Sequence, residues 1–144
     1  MIAAAAFEAV LLAAIAALHV AWGFGAVWPC VGEAALVTVV VGYRSERMPP
    51  PVQCFIAAGA ILAAAVVIAL LAGLVRSPLP SSLVVLLGLG ATMVFAGRGV
   101  AGYVPAWRAR FPRQPFARLD RSVYSPLCLV IALTCARLTL VRLG

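Results

Sequence analysis

Four apolar blocks, each long enough to cross a bilayer, run through this chain with arginines gathered between them, and that alternation leaves few folds open. A helix needs about 20 apolar residues to span the hydrocarbon. Residues 2–27, 52–75, 82–103 and 126–143 each supply a run of about that length. Only 10% of the residues are charged, whereas a soluble domain carries about a quarter. Too little polar surface is available to clothe a water-soluble fold. The expectation is an all-α polytopic membrane protein: one domain over residues 1–144, with four transmembrane helices, multi-pass in the cell membrane.

Prolines mark the expected boundaries. Proline cannot continue a helical hydrogen-bond ladder and disfavours helix at the residue before it. The first span should therefore stop at Trp28-Pro29, and the third should stop before Pro105. The second is entered through Pro49-Pro50-Pro51, with Pro51 suited to a first turn. Ser81 or Ser82 can cap the third. Ser125-Pro126 reads as the cap and first turn of the fourth, leaving Tyr124 just outside it. Residues 31–43 are apolar but too short to span. They are expected to form an interfacial or re-entrant segment between helices 1 and 2, although an ordered loop fits equally well. The N-terminal run has no arginine before it and carries Glu8, unlike a signal peptide, so the first span should be retained.

All eleven basic residues are arginine, and the net charge is +7. They lie in short loops rather than on one basic face, which argues against nucleic acid and for membrane lipids as partners. Arg44, Arg47, Arg108, Arg110, Arg113, Arg118 and Arg121 fall on one side of the membrane, while Arg76 and Arg142 fall on the other. The richer side should be cytoplasmic, which places both termini outside. Small residues at four-residue spacing give the expected packing stripes: Ala13, Ala17 and Ala21; Gly59 and Ala63; Gly88, Thr92 and Ala96.

Ionisable residues inside a span are costly and normally face a partner. Glu8, His19, Arg98 and Arg137 qualify. Glu8 and Arg137 each lie about six residues from the same face, roughly 9 Å deep at the helical rise. A structural ion pair between them is expected to join the first and last helices. His19 and Arg98 lie near the opposite face. Trp22 shares the face of His19, with Glu8 and Ile15 along the same stripe. Glu33, Tyr103, Asp120, Tyr124 and Ser125 can converge at that second depth. Trp28, Trp107 and Tyr43 read as an interfacial aromatic belt.

Several pieces occur in a telling order: His19-Val-Ala-Trp22-Gly23-Phe-Gly25, Trp28-Pro29, Val39-Val-Val-Gly42, Met48-Pro49-Pro50, Gly97-Arg98-Gly99, Gly102-Tyr103 and Asp120-Arg121-Ser-Val-Tyr124-Ser125-Pro126-Leu127-Cys128. Across nearly its whole length the chain resembles a family of small bacterial four-helix integral membrane proteins of unknown function. The resemblance implies the four-helix fold and gives weight to His19, Trp22, Arg98 and Tyr124. It implies no activity. This chain has Ala21 where family members often carry an aromatic residue, which would enlarge a pocket there.

Two functional expectations follow. The first is a membrane enzyme acting on a hydrophobic, isoprenoid-like small molecule by acid-initiated carbocation chemistry, as a cyclase or isomerase does. Glu8, Glu33 or Asp120 would be the acid and His19 its partner or a base. Trp22, Trp28 and Tyr124 would stabilise the cation, with Arg98 and Tyr103 also lining the site. A Glu8 paired to Arg137 would stay ionised and make a poor acid. The second is a non-enzymatic module: a lipid binder, carrier or assembly subunit, with the arginine-rich loop from Trp107 to Arg121 holding a headgroup or phosphate. A carrier this small would need to form a homo-oligomer. No cofactor or metal is expected. Cys30, Cys54, Cys128 and Cys135 show no CxxC spacing and read as buried apolar thiols. His19 is the only histidine, whereas a haem held in a bundle normally takes two axial ligands.

Overall fold

Glycines, not prolines, end the first two long helices. In the computed structural model, which describes residues 1–43 and 47–143, helix α1 runs Ile2–Gly23 and α3 runs Pro51–Leu71. Beyond each, a glycine turns left-handed: Gly25 at φ 89° and Gly73 at φ 71°. Ala26 N–H then donates to the carbonyl of Ala21, and Gly25 N–H to that of Trp22. Leu74 N–H and Gly73 N–H repeat the pattern onto Ala69 and Leu70. These paired reversed bonds satisfy carbonyls that the helix end leaves open, and glycine adopts the required φ without steric cost. The first two spans therefore stop four residues short of their expected ends at 27 and 75.

The other expected boundaries fare differently. Pro51 does open α3. Helix α4 runs Ser81–Ala101, but Pro80 occupies its cap position and no serine side chain caps it. The short apolar segment contains a helix, α2 (Glu33–Val40), with Leu36 and Val37 fully buried. After α5 (Pro105–Arg110) comes the largest departure. Helix α6 (Phe116–Leu119) runs through a π-turn at Asp120–Tyr124 into α7 (Ser125–Leu143), a continuous apolar helix of 28 residues. Ser125 is thus buried mid-helix rather than capping it, and Tyr124 lies inside the helix.

Pro126 gives the reason. In the π-turn, Ser125 N–H donates to the carbonyl of Asp120, five residues back. Pro126 has no N–H to place on Arg121 in the same register, and a widened turn relieves its clash with the preceding backbone. The Tyr103 hydroxyl donates to the Arg121 carbonyl instead, at 3.1 Å.

Among the described residues the fold is all-helical, and α1, α3, α4 and α6–α7 are each long and apolar enough to span a membrane. Two antiparallel pairs, α1 with α3 and α4 with α7, join mainly through α3. The shared core lies in one half of the bundle, where Ala5 and Leu12 meet Ile68, Leu71, Val84, Ile131 and Cys135. Arg142 ties that end together by donating to the carbonyls of Leu70 and Leu71, at 2.5 and 2.9 Å. At the other end the pairs are bridged by α2, α5 and α6. Arg44, one of the orientation markers, falls outside the described residues.

Packing stripes agree with the small-residue spacing only on α4. Gly88 is buried, and a Cβ there would collide with the Thr139 hydroxyl. On α1 the buried line is Ala5, Glu8, Leu12 and Ala16, and Ala17 is exposed. On α3 it is Cys54, Ala58 and Ala65, while Gly59 and Ala63 face outward. Gly99 and Gly97 provide a test on one helix. A Cβ at Gly99 would lie 2.6 Å from Leu129 Cγ, whereas one at Gly97 meets nothing within 4 Å. Gly99→Ala should cost about 1–3 kcal/mol. Gly97→Ala should be neutral or gain up to about 1 kcal/mol from helix propensity. Reversible unfolding in mixed micelles measures both.

Candidate functional site

The bridged end of the bundle is built around one buried acid. Asp120 is 3% exposed and lies in the π-turn. Its Oδ1 accepts from Arg98 Nη2 at 2.5 Å, forming the ion pair seen among the described residues. Its Oδ2 accepts from the Trp107 indole N–H at 3.0 Å. The Arg98 guanidinium lies 5.0 Å from the centroid of the Trp107 ring and also reaches the Ser125 hydroxyl at 3.4 Å. Gly102 permits this closeness, since a Cβ there would strike Ser125 and the Asp120 carboxylate. One carboxylate thus fastens the end of α4, the start of α5 and the π-turn.

That fastening folds the arginine-rich segment back on itself and leaves an open groove of about 1070 Å³. Tyr103, Arg108, Gln114, Arg118, Arg121 and Ser122 contribute its polar lining. All three arginines are exposed, and no carboxylate of a described residue lies within 4 Å of them. Aromatic rings back the segment from inside: Phe111 sits 4.5 Å from Trp107, and buried Phe116 sits 5.8 Å from Tyr124, centroid to centroid.

The site expected from the sequence is divided rather than joined. Arg98, Asp120 and Ser125 do meet, and Tyr103 binds one turn away. His19 and Trp22 do not reach them. The two rings meet at 4.8 Å, tilted by 54°, beside a separate groove of about 270 Å³, lined by both of them and by Val40, Val41, Met48, Pro49, Gln53, Cys54 and Ala57. Nδ1 of His19 is 2.8 Å from the Ile15 carbonyl, and the Trp22 indole donates to the Trp28 carbonyl at 2.8 Å. Trp28 itself is exposed. Glu33 accepts from Met48 N–H at 2.7 Å, and the Tyr124 hydroxyl donates to the Val39 carbonyl at 3.2 Å.

Glu8 lies at the far end and is 5% exposed. The expected Glu8–Arg137 ion pair is not formed. Glu8 Oε1 accepts from the Thr134 hydroxyl at 2.8 Å, Oε2 has no partner, and Arg137 is exposed. Thr134 stands one turn deeper than Arg137 on α7. The long arginine can turn its charge out to the headgroups, so the short hydroxyl is left to meet the acid. Trp107 is the residue the sequence reading missed. Its neighbours placed it in an interfacial belt, and nothing local marked it as a partner for Asp120.

Among the described residues, no three His, Cys, Asp or Glu side chains gather as a metal site. What the geometry defines is a polytopic four-helix membrane protein with a basic groove at one end and an imidazole-bearing groove beside it. The chain belongs to the family described as "protein of unknown function (DUF3995)", whose model matches residues 12–135. No curated protein and no solved structure matches it.

Removing Asp120 leaves Arg98 without its counter-ion and the Trp107 N–H without an acceptor. Asp120→Ala should cost about 2–4 kcal/mol. Arg98→Ala should cost a comparable amount, because it leaves the Asp120 carboxylate, 3% exposed, without its counter-ion. The double variant should lose less than the sum of the two. A thermodynamic cycle in micelles reads the coupling.

Proposed function

We propose that this protein is a non-enzymatic, lipid-binding membrane module whose arginine groove holds an anionic phosphate headgroup. The carrying observation is the Arg108–Arg118–Arg121 cluster, shaped by the buried Asp120 hub, with no carboxylate of a described residue within 4 Å of its guanidinium groups. A phosphate oxygen accepts charge-assisted hydrogen bonds from guanidinium, and the Gln114 amide adds a neutral donor, while the Tyr103 and Ser122 hydroxyls already donate to the Arg121 and Arg118 carbonyls and brace the two arginines' backbone. With the arginine-rich end on the cytoplasmic side, the groove faces the leaflet that carries the anionic lipids.

The disposition of the acids weighs against acid-initiated isoprenoid chemistry as the first reading. A proton donor for such a reaction must face the substrate. Asp120 is turned to Arg98 and Trp107, Glu33 to a backbone N–H, and Glu8 to Thr134 at the other end. A polyisoprenyl phosphate presents the same headgroup chemistry as a phospholipid and would seat in the same groove.

Native mass spectrometry of the protein in micelles, titrated with phosphatidylglycerol or phosphatidylcholine, tests this reading. Retention of phosphatidylglycerol should exceed that of phosphatidylcholine. Each of Arg108→Gln, Arg118→Gln and Arg121→Gln should weaken it by about fivefold, corresponding to about 1 kcal/mol per arginine. Added salt should weaken it further. Equal retention of the two lipids, or no loss in any variant, overturns the reading. Adding undecaprenyl phosphate as competitor separates the two headgroup sources.

A further inference from the structure

The groove beside His19 brings a histidine, a methionine and a cysteine from three segments to one lining. His19 comes from α1, Met48 from the segment before α3, and Cys54 from the first turns of α3, and all three line it. His19 and Met48 are each held by something other than the groove. The His19 ring is fixed by Nδ1 against the Ile15 carbonyl at 2.8 Å and by Trp22. With Nδ1 as the donor, Nε2 is left as a bare acceptor. A histidine that ligates a metal is commonly oriented in this way, its second nitrogen on a backbone carbonyl. Met48 is anchored by its N–H on Glu33 at 2.7 Å and by the three prolines that follow it. Cys54 is a free thiol, 5% exposed.

We propose that this groove is a binding site for one copper(I) ion, held by His19 Nε2, Met48 Sδ and Cys54 Sγ. Imidazole, thioether and thiolate are the donors that a soft monovalent ion selects. Zinc prefers four ligands and seldom takes a thioether. The charge balance points the same way. On binding, the Cys54 thiol releases its proton to water, and the thiolate and Cu⁺ together carry no net charge. A divalent ion on the same donors would leave one unit of charge in a groove walled by Val40, Val41, Pro49 and Ala57, where an unpaired charge is costly. The remaining cysteines lie outside the groove. The site rests on different residues from the headgroup groove and stands or falls independently of it.

The test is a copper(I) titration of the full-length protein in micelles under reductant, in competition with a chromogenic copper(I) chelator, followed by X-ray absorption at the copper edge. One ion per chain is expected, with two sulfur scatterers and one nitrogen. Cys54→Ser, Met48→Leu and His19→Ala should each weaken binding by at least about tenfold. Cys30→Ser and Cys128→Ser should leave it unchanged. Met48→Leu keeps the apolar bulk, so it reports on the site even if Cys54→Ser fails to fold. Absence of stoichiometric copper(I), equal affinity in Met48→Leu, or tighter binding of zinc overturns the proposal.

Discussion

The contact between Arg98 and Asp120 governs one end of this molecule. Two charges brought to the edge of a hydrocarbon layer are tolerable only when they satisfy each other and their remaining hydrogen-bonding capacity is used. Here that capacity is nearly filled: Asp120 spends both oxygens, on Arg98 and on the Trp107 indole, and Arg98 adds the Ser125 hydroxyl. Because the three partners sit on α4, α5 and the helical run into α7, meeting this requirement dictates the path of everything between them. The segment from Pro105 to Leu119 must return across the bundle end, and it carries its arginines outward as it does so.

The π-turn belongs to the same arrangement. A regular α-helix from Phe116 to Leu143 would drive the Pro126 ring into the carbonyl one turn before it. Widening the turn avoids that clash but leaves the Arg121 carbonyl without its helical donor, and the Tyr103 hydroxyl takes the place of the missing N–H. Tyr103 follows Gly102, whose bare Cα lets α4 approach Ser125 and Asp120. A proline on one helix and a glycine-tyrosine pair on another thus form a matched set. Neither has an obvious purpose when its own segment is read alone.

This explains which features were legible in the sequence. The four spans were legible because crossing hydrocarbon requires a length of apolar residues whatever they pack against. The ends of the first two were misplaced by a few residues because Gly25 and Gly73 stop a helix through reversed hydrogen bonds, and a glycine in an apolar run resembles any other small residue. Packing faces on α1 and α3 were illegible for a deeper reason. Lipid and protein interior are both apolar, so Ala17 outside and Ala16 inside have identical chemistry, and no hydrophobic stripe separates them. Arg98, Asp120 and Ser125 could be brought to one depth from their positions alone, but depth says nothing about rotation around the bundle. His19 shares that depth and sits between α1 and α3, while Arg98 sits between α4 and α7.

The fate of the four acids sets the character of the surface. Asp120 is engaged inside by Arg98, one oxygen of buried Glu8 is engaged by Thr134, exposed Glu33 holds the Met48 backbone, and Glu46 lies outside the described residues. Each of these three bonds positions a segment rather than neutralising an exposed arginine. These bonds therefore decide which charge is shown outside: positive charge is left displayed on the groove of Arg108, Arg118 and Arg121. That excess is sustained at a membrane surface because anionic headgroups supply the counter-charge, with each arginine near the surface gaining about 1 kcal/mol from them. A chain that spent its acids on exposed arginines would lose both the hub and the attraction to the membrane surface.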